Sequence, residues 1–190
     1  MTLWEQLEQF TPFCEEEAAD LAAIRSALIH ETDVFSRSNR LGHMSASAWV
    51  VNREHTHVLM AWHNLHRDWS WLGGHADGET DLLQVALREV QEESGLTSVR
   101  PLMDGIFSLE ILAGVGHWKR GEYLPSHMHY NVTYLLEADS SEPMHIKPDE
   151  NSGLRWIPLA ESRTASSRRW MCDHIYGKLA DKLDAFLLMQ

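Results

Sequence analysis

Three glutamates, Glu89, Glu92 and Glu93, stand at positions i, i+3 and i+4 of a stretch that reads as a helix. Side chains at that spacing share one helical face, so three carboxylates converge there. Like charges repel, and a solvated helix would interleave lysines. From Asp81 to Ser94 the only basic residue is Arg88. Just upstream lies the glycine loop Leu72-Gly73-Gly74-His75-Ala76-Asp77-Gly78-Glu79. Carboxylates packed this densely suit a hard divalent cation such as Mg²⁺, which prefers carboxylate and water oxygens. A bound divalent cation can place a phosphate compound on a chain whose own charge repels it.

That charge is considerable. Among 190 residues there are 16 Lys plus Arg against 28 Asp plus Glu, a net charge of -12. Such a field disfavours broad binding to a phosphate backbone, so no nucleic acid polymer is expected as a partner. The longest apolar runs fall far short of the roughly 20 residues that span a bilayer, so no membrane segment is expected. Met1 to Phe10 carry Glu5 and Glu8 and no basic run, unlike a secretory leader. Two cysteines, Cys14 and Cys172, make neither a disulfide framework nor a four-cysteine zinc site, and the expected location is cytoplasmic.

The elements that must position the carboxylates are also legible. Thr2 to Glu5 fits a capping box. Thr11-Pro12 reads as a helix start, and Leu21, Ile24 and Leu28 form an apolar stripe, which predicts a helix over 12–30. Residues 46–51 and 57–62 read as two strands of a hairpin separated by Asn52 to His55. The helix of the glutamates spans about Asp81 to Ser94 and ends at Gly95. Further strands are expected at Gly105–Leu112, His129–Glu137 and Leu154–Pro158, and a last helix over 168–187 presents Met171, Ile175, Leu179, Leu183 and Phe186 on one face. This order predicts a mixed sheet flanked by helices, α/β or α+β in three layers.

At the level of motif, Gly74, Arg88, Glu89, Val90, Glu92, Glu93, Gly95 and Leu96 match the Gly-x5-Glu-x7-Arg-Glu-U-x-Glu-Glu-x-Gly-U pattern in which U is bulky and aliphatic. The sequence therefore resembles the Nudix hydrolase superfamily over about residues 41–160. Thr80 stands where the pattern carries a glutamate, with Glu79 one residue earlier, and Asp77 or Asp81 nearby as further possible partners for Arg88.

The resemblance implies a Nudix-like α/β/α sandwich with a mixed central sheet. The length of 190 residues predicts a single domain over 1–190, with a helical extension at 1–40, the Nudix-like core at 41–160 and a C-terminal helix at 161–190. The resemblance implies a pyrophosphohydrolase that cleaves a nucleoside diphosphate linked to another group, with Mg²⁺ or Mn²⁺ as cofactor. Glu89, Glu92 and Glu93, with the Gly74 carbonyl, would hold the metal, which neutralises the diphosphate and activates water. Arg88 would orient Glu89, and Glu150, in a later loop, is the local choice for general base. The expected partner is a small-molecule nucleotide or other diphosphate, and assembly as a homodimer is compatible with this.

Twelve histidines are a further feature. His127 and His129 flank Met128 and share one strand face. His63, His66 and Arg67 precede Trp71 and the glycine turn. Arg67, Trp71, His127 and His129 are the candidate substrate contacts, Trp71 by stacking on a base. A zinc site built from His55 and His57, or from His127 and His129, would need further ligands. The loop Gly114–Ser126, with Lys119 and Arg120, is the expected specificity loop. Between Leu102 and Glu122 there is no proline or tyrosine of the kind that marks ADP-ribose or dinucleoside polyphosphate hydrolases among the relatives. Two other readings compete: a non-catalytic nucleotide-binding sensor, and an isopentenyl diphosphate isomerase. The isomerase would need a cysteine in the site, and both cysteines lie in terminal helices.

Overall fold

The computed structural model describes residues 1–119 and 121–189, so Arg120 lies outside the described residues. In chain order the elements are α1 (Leu3–Gln9), α2 (Glu15–His30), β1 (Gly42–Asn52), β2 (His57–His63), β3 (Asp68–Ser70), β4 (Leu72–His75), α3 (Leu82–Ser94), β5 (Arg100–Pro101), β6 (Ser108–Gly114), β7 (His117–Lys119), β8 (Glu122–Leu124), β9 (His127–Ala138), β10 (Asn151–Pro158), α4 (Leu159–Ser162) and α5 (Gly177–Leu188). A π-helical turn, Met171–Tyr176, leads directly into α5. The sheet is bonded in the order β10-β2-β1-β9-β5, with β3 on β2, β4 on β1 and β6 on β9, while β7 and β8 form their own hairpin. The expected α/β class with a central sheet and flanking helices is therefore what forms.

The chain divides into two compact units. The first comprises Met1–Ser47, Gly73–Ala86 and Gly105–Tyr134. Here the capping box at Thr2 forms as expected: Glu5 N donates to Thr2 Oγ1 at 3.3 Å and Thr2 N to Glu5 Oε2 at 2.7 Å. The second helix starts later than its sequence suggests, at Glu15 rather than residue 12. The Phe13 amide is already committed to the Glu17 carboxylate at 2.6 Å, outside any helical ladder. Glu17 itself is fully buried, and Ser108 Oγ donates to it at 2.8 Å and Leu109 N at 3.2 Å. These bonds dock α2 on β6, which pairs antiparallel with β9 from Ser108↔Thr133 to Gly114↔His127. Leu7, Ile24, Met44, Leu109 and Val132 fill this core.

The second unit comprises Ala48–Leu72, Leu87–Asp104 and Leu135–Gln190. The predicted hairpin is present, with Val51 opposite Val58. Its turn is organised by Asn52, whose Oδ1 accepts from Thr56 N and His57 N, both at 2.8 Å. Strand β10 lies antiparallel to β2, with Trp156 opposite Leu59. The expected C-terminal helix is interrupted by the π-helical turn, which buries Tyr176 completely against Trp49, their rings stacked at 6.0 Å. No helix among the described residues is long and apolar enough to cross a membrane.

Candidate active site

The last two turns of α3 carry the glutamates. Asp81 starts the helix by accepting from Gln84 N at 3.3 Å, as an N-cap residue does. Gly95 ends it with φ +76°, the left-handed backbone that favours glycine after a helix. A Cβ at Gly95 would also meet His145 at 3.1 Å. Val90 is fully buried, which turns the opposite arc of the helix into the core. Glu93 is 4% exposed and Glu89 keeps 13% of its side chain exposed, so both are largely withdrawn from water.

The end of this helix is tied to the loop that carries Glu150. His145 N donates to Ser94 O at 2.8 Å, and the buried Asn151 side chain donates to Glu93 O at 2.9 Å. Glu150 N and Asn151 N both donate to Lys147 O at 2.8 Å, and Asn64 N donates to Glu150 O at 2.9 Å. With its backbone amide and carbonyl both bonded, Glu150 joins Glu89 and Glu93. Each offers a carboxylate oxygen, and these oxygens lie within 4.8 Å of one another. Glu92 takes a different place, 45% exposed, accepting from Lys147 Nζ at 2.8 Å, with Arg88 Nε at 3.8 Å.

The electrostatics follow from this layout. Burial pushes the Glu89 carboxyl up, and the neighbouring Glu92 charge adds to it; Lys147 and Arg88 oppose both. Burial works against the Lys147 charge, but its hydrogen bonds to Glu92 and Glu150 outweigh that and hold its pKa above normal. The buried Glu89 charge is thus left under-compensated by the protein's own cations. A set of carboxylate oxygens in that condition fits a hard divalent cation.

Arg88 reaches Glu89 Oε1 at 3.5 Å, and its second ion-pair partner is Glu92 rather than a loop acid. The loop acids are occupied elsewhere: Asp77 pairs with Arg37, Asp81 caps α3, and Glu79 accepts from Thr80 N at 2.8 Å and Asp81 N at 2.9 Å. Trp71 is not free for stacking on a base. It is 7% exposed and set edge-on to Tyr176 at 5.9 Å, because the C-terminal helical segment closes over it. Arg67 is exposed in the turn after β2, with φ +51°. At the end of β2 the His63 ring lies 4.5 Å from that of His66, tilted by 31°, and burial lowers the His63 pKa while Glu150 opposes. Gly74 sits half-buried in β4, next to His75. His127 and His129 lie together with His43 and His75, partners that sequence separation concealed.

The NUDIX domain family model matches residues 42–173. The chain belongs to this family. The match spans the glycine loop, α3 and the Glu150 loop, and it carries the expected enzyme class, a Nudix hydrolase. Among solved structures, the chain is similar to a C. elegans Ap4A hydrolase binary complex, with a TM-score of 0.57 at 19% identity over 77% of this chain and 98% of that one. A NUDIX-family hydrolase from Clostridium perfringens gives 0.53 at 18% identity over 76% and 97%. MutT protein from Methanosarcina mazei Go1 gives 0.51 at 14% identity over 77% and 97%. At these identities the likeness is one of fold. No curated protein matches the sequence.

Proposed function

We propose that this Nudix protein is a divalent-metal-dependent pyrophosphohydrolase that cleaves the diphosphate linkage of a nucleoside diphosphate joined to another group. The observation that carries this reading is the convergence of Glu89, Glu93 and Glu150 within 4.8 Å at the end of α3. A divalent cation bound there supplies positive charge for the diphosphate and acidifies water for attack on phosphorus.

The protein's own residues do the rest. Glu89 and Glu93 hold the cation, and Arg88 sets the Glu89 carboxylate. Glu150 is the residue that accepts the proton from the attacking water, its backbone fixed by Asn64 and by the Lys147 carbonyl. Glu92 takes a supporting part: through Lys147 it balances charge beside Glu150. Arg67, exposed near His63, is a cation available to a substrate phosphate. On a chain of net charge -12 the cation and these few basic groups are what make a polyanionic substrate acceptable.

The test is a panel of nucleoside triphosphates, nucleotide sugars, ADP-ribose and dinucleoside polyphosphates, Ap4A included. It is assayed with Mg²⁺ and with Mn²⁺ for release of phosphate, pyrophosphate or nucleotide. Turnover of at least one member that stops in excess EDTA is the expected result. Turnover undiminished in EDTA overturns the metal mechanism. Tight nucleotide binding without turnover across the panel establishes the sensor reading instead.

A further inference from the structure

Four histidines distant in sequence meet in the first compact unit. His43 stands near the start of β1, His75 ends β4, and His127 and His129 open β9 on one strand face. One ring nitrogen from each lies within 4.8 Å of the others. His127 Nε2 is 3.0 Å from His129 Nε2, and His75 Nε2 is 3.3 Å from His129 Nε2. Ring centroids of His43 lie 5.0, 4.9 and 5.2 Å from those of His75, His127 and His129.

Two of the four rings have their other nitrogen already engaged. His43 Nδ1 is 3.0 Å from Asn39 O and His127 Nδ1 is 2.9 Å from Pro125 O. A carbonyl accepts only, so in each ring Nδ1 carries the proton and Nε2 presents its lone pair. This is the outer bond that fixes the tautomer of a metal-ligating histidine. His43 is 3% exposed, and its Nε2 has no hydrogen-bond partner among the described residues. A buried ring nitrogen left with its lone pair unsatisfied is costly. The other three imidazoles lie around this ring, each with its centroid within 5.2 Å.

The surroundings disfavour charge on two of the rings, His75 and His43, and leave the cluster room. Burial lowers the His75 pKa to about 3, with repulsion from His129, Arg37 and His43 adding to it. Burial likewise lowers that of His43. Neutral imidazole is the form that binds a metal. Gly114, on the neighbouring strand, leaves space beside the cluster: a Cβ there would lie 3.0 Å from His129 Cε1. Backbone bonds hold the contributing segments in place, Ala76 N donating to Met44 O at 3.0 Å and Met128 N to Leu41 O at 2.9 Å.

We propose that His43, His75, His127 and His129 form a closed, four-coordinate site for a borderline-soft transition-metal dication, Zn²⁺ above all. It shares no residue with the carboxylate set of α3 and staples the ends of β1, β4 and β9 together. Zinc–nitrogen bonds of about 2.0–2.1 Å put tetrahedral ligand nitrogens roughly 3.3 Å apart, close to the two separations seen here. Four imidazoles and no carboxylate discriminate against Mg²⁺, which takes oxygen, and favour the zinc end of the divalent series. Four protein ligands leave no open position, the mark of a structural site. The inference does not depend on the hydrolase reading.

The experiment uses the full chain without an affinity tag, stripped of metal and then reloaded with Zn²⁺. Metal content is read by mass spectrometry, affinity by competition with a chromogenic chelator, and stability by thermal melting with and without Zn²⁺. Wild type is expected to retain one zinc per chain, bind it in the nanomolar range typical of structural sites and melt higher when loaded. Cobalt substitution should give the intense visible bands of a tetrahedral site. His43→Gln and His129→Gln should weaken zinc binding on the order of 100-fold or more, since altering an outer partner alone costs roughly 10–100-fold. His127→Gln, at a half-exposed position, provides a variant whose folding is not at risk. Glu89→Gln and His55→Gln should retain zinc unchanged. No stoichiometric zinc on the wild type, or equal retention by His43→Gln, His127→Gln and His129→Gln, overturns the proposal. So does a melting shift produced by inorganic phosphate and not by Zn²⁺, which would make the cluster an anion site.

Discussion

Lys147 donates to Glu92 Oε2 at 2.8 Å, and this pair separates Glu92 from the two glutamates with which it shares a helical face. Lys147 also reaches Glu150 Oε1 at 3.1 Å. It therefore sits between a carboxylate outside the converging set and one inside it. Without Lys147 the acidic cluster loses its nearest counter-charge, and Glu92 is released towards Glu89. The Lys147→Met variant should then lose stability in EDTA by about 0.5–1 kcal/mol, a size set by the exposure of the partners. Its half-saturating Mg²⁺ concentration should fall, because a cation now meets more net negative charge. Thermal melts in EDTA and Mg²⁺ titrations of activity measure the two effects. An Mg²⁺ requirement that rises would show Lys147 to be holding Glu150 in place for the metal.

The glutamates divide by position. Glu89→Gln and Glu93→Gln keep size and hydrogen-bonding capacity but remove charge from the converging set. Each should lower turnover on the order of 10²–10⁴-fold at saturating substrate and Mg²⁺. Both should fold, and in EDTA neither should melt lower than wild type, since a repelling charge has been removed. Glu92→Gln acts through Lys147 and should cost turnover less than tenfold, in the range of a surface ion pair. Equal losses for Glu92 and Glu89 would place the cation on the helix face instead of between α3 and the Glu150 loop.

Arg88 is 42% exposed, and its bonds to Glu89 and Glu92 are long, at 3.5 and 3.8 Å. Arg88→Ala should therefore cost less than about 1 kcal/mol of stability. Its effect belongs in turnover, where loss of the contact lets the Glu89 carboxylate rotate, with the substrate KM nearly unchanged. Arg88→Lys should restore part of that turnover. A large drop in melting temperature in Arg88→Ala, with turnover per folded molecule intact, would reassign the residue to the scaffold.

Which parts of this arrangement the sequence discloses has a physical basis. Helix α3 is local: its period, its Asp81 cap and its Gly95 stop all lie within fifteen residues, so its three glutamates could be placed on one face directly. The Glu150 loop follows α3 by more than fifty residues, and the structure brings its carboxylate to Glu89 and Glu93. What could not be read depends on long-range pairing. His43 and His75 reach His127 and His129 only through the strand order of the sheet, and no local pattern encodes that order. Glu17 stands in the first turn of α2, where an acid is ordinarily solvated, and is a buried acceptor for Ser108 and Leu109. Trp71 lies beside the glycine turn in sequence, yet the C-terminal helical segment covers it, a contact about a hundred residues away along the chain.

That C-terminal segment is anchored by another buried acid. Asp68, 2% exposed at the start of β3, accepts from Ser166 Oγ at 2.6 Å, from Ser167 N at 2.9 and 3.1 Å and from Ser167 Oγ at 3.1 Å. Burial alone would push its carboxyl up, but these bonds outweigh it and hold the folded pKa below the ordinary value. The sign follows. Between the lowered folded pKa and the unfolded value of about 3.9, the unfolded chain binds more protons, so stability rises with pH across that window. The contribution is present in full above the unfolded value and is lost as pH falls through the folded one. Asp68→Ala removes both the bonds and the titration. At neutral pH it should cost about 2–3 kcal/mol, the range for hydrogen bonds to a buried charge. As pH drops below 4, the wild type should lose more stability than the variant, and the gap between them should narrow. Urea unfolding of both proteins, from pH 7 down to the lowest pH at which they fold, gives the two curves. Parallel curves would show that Asp68 contributes packing and no titrating charge.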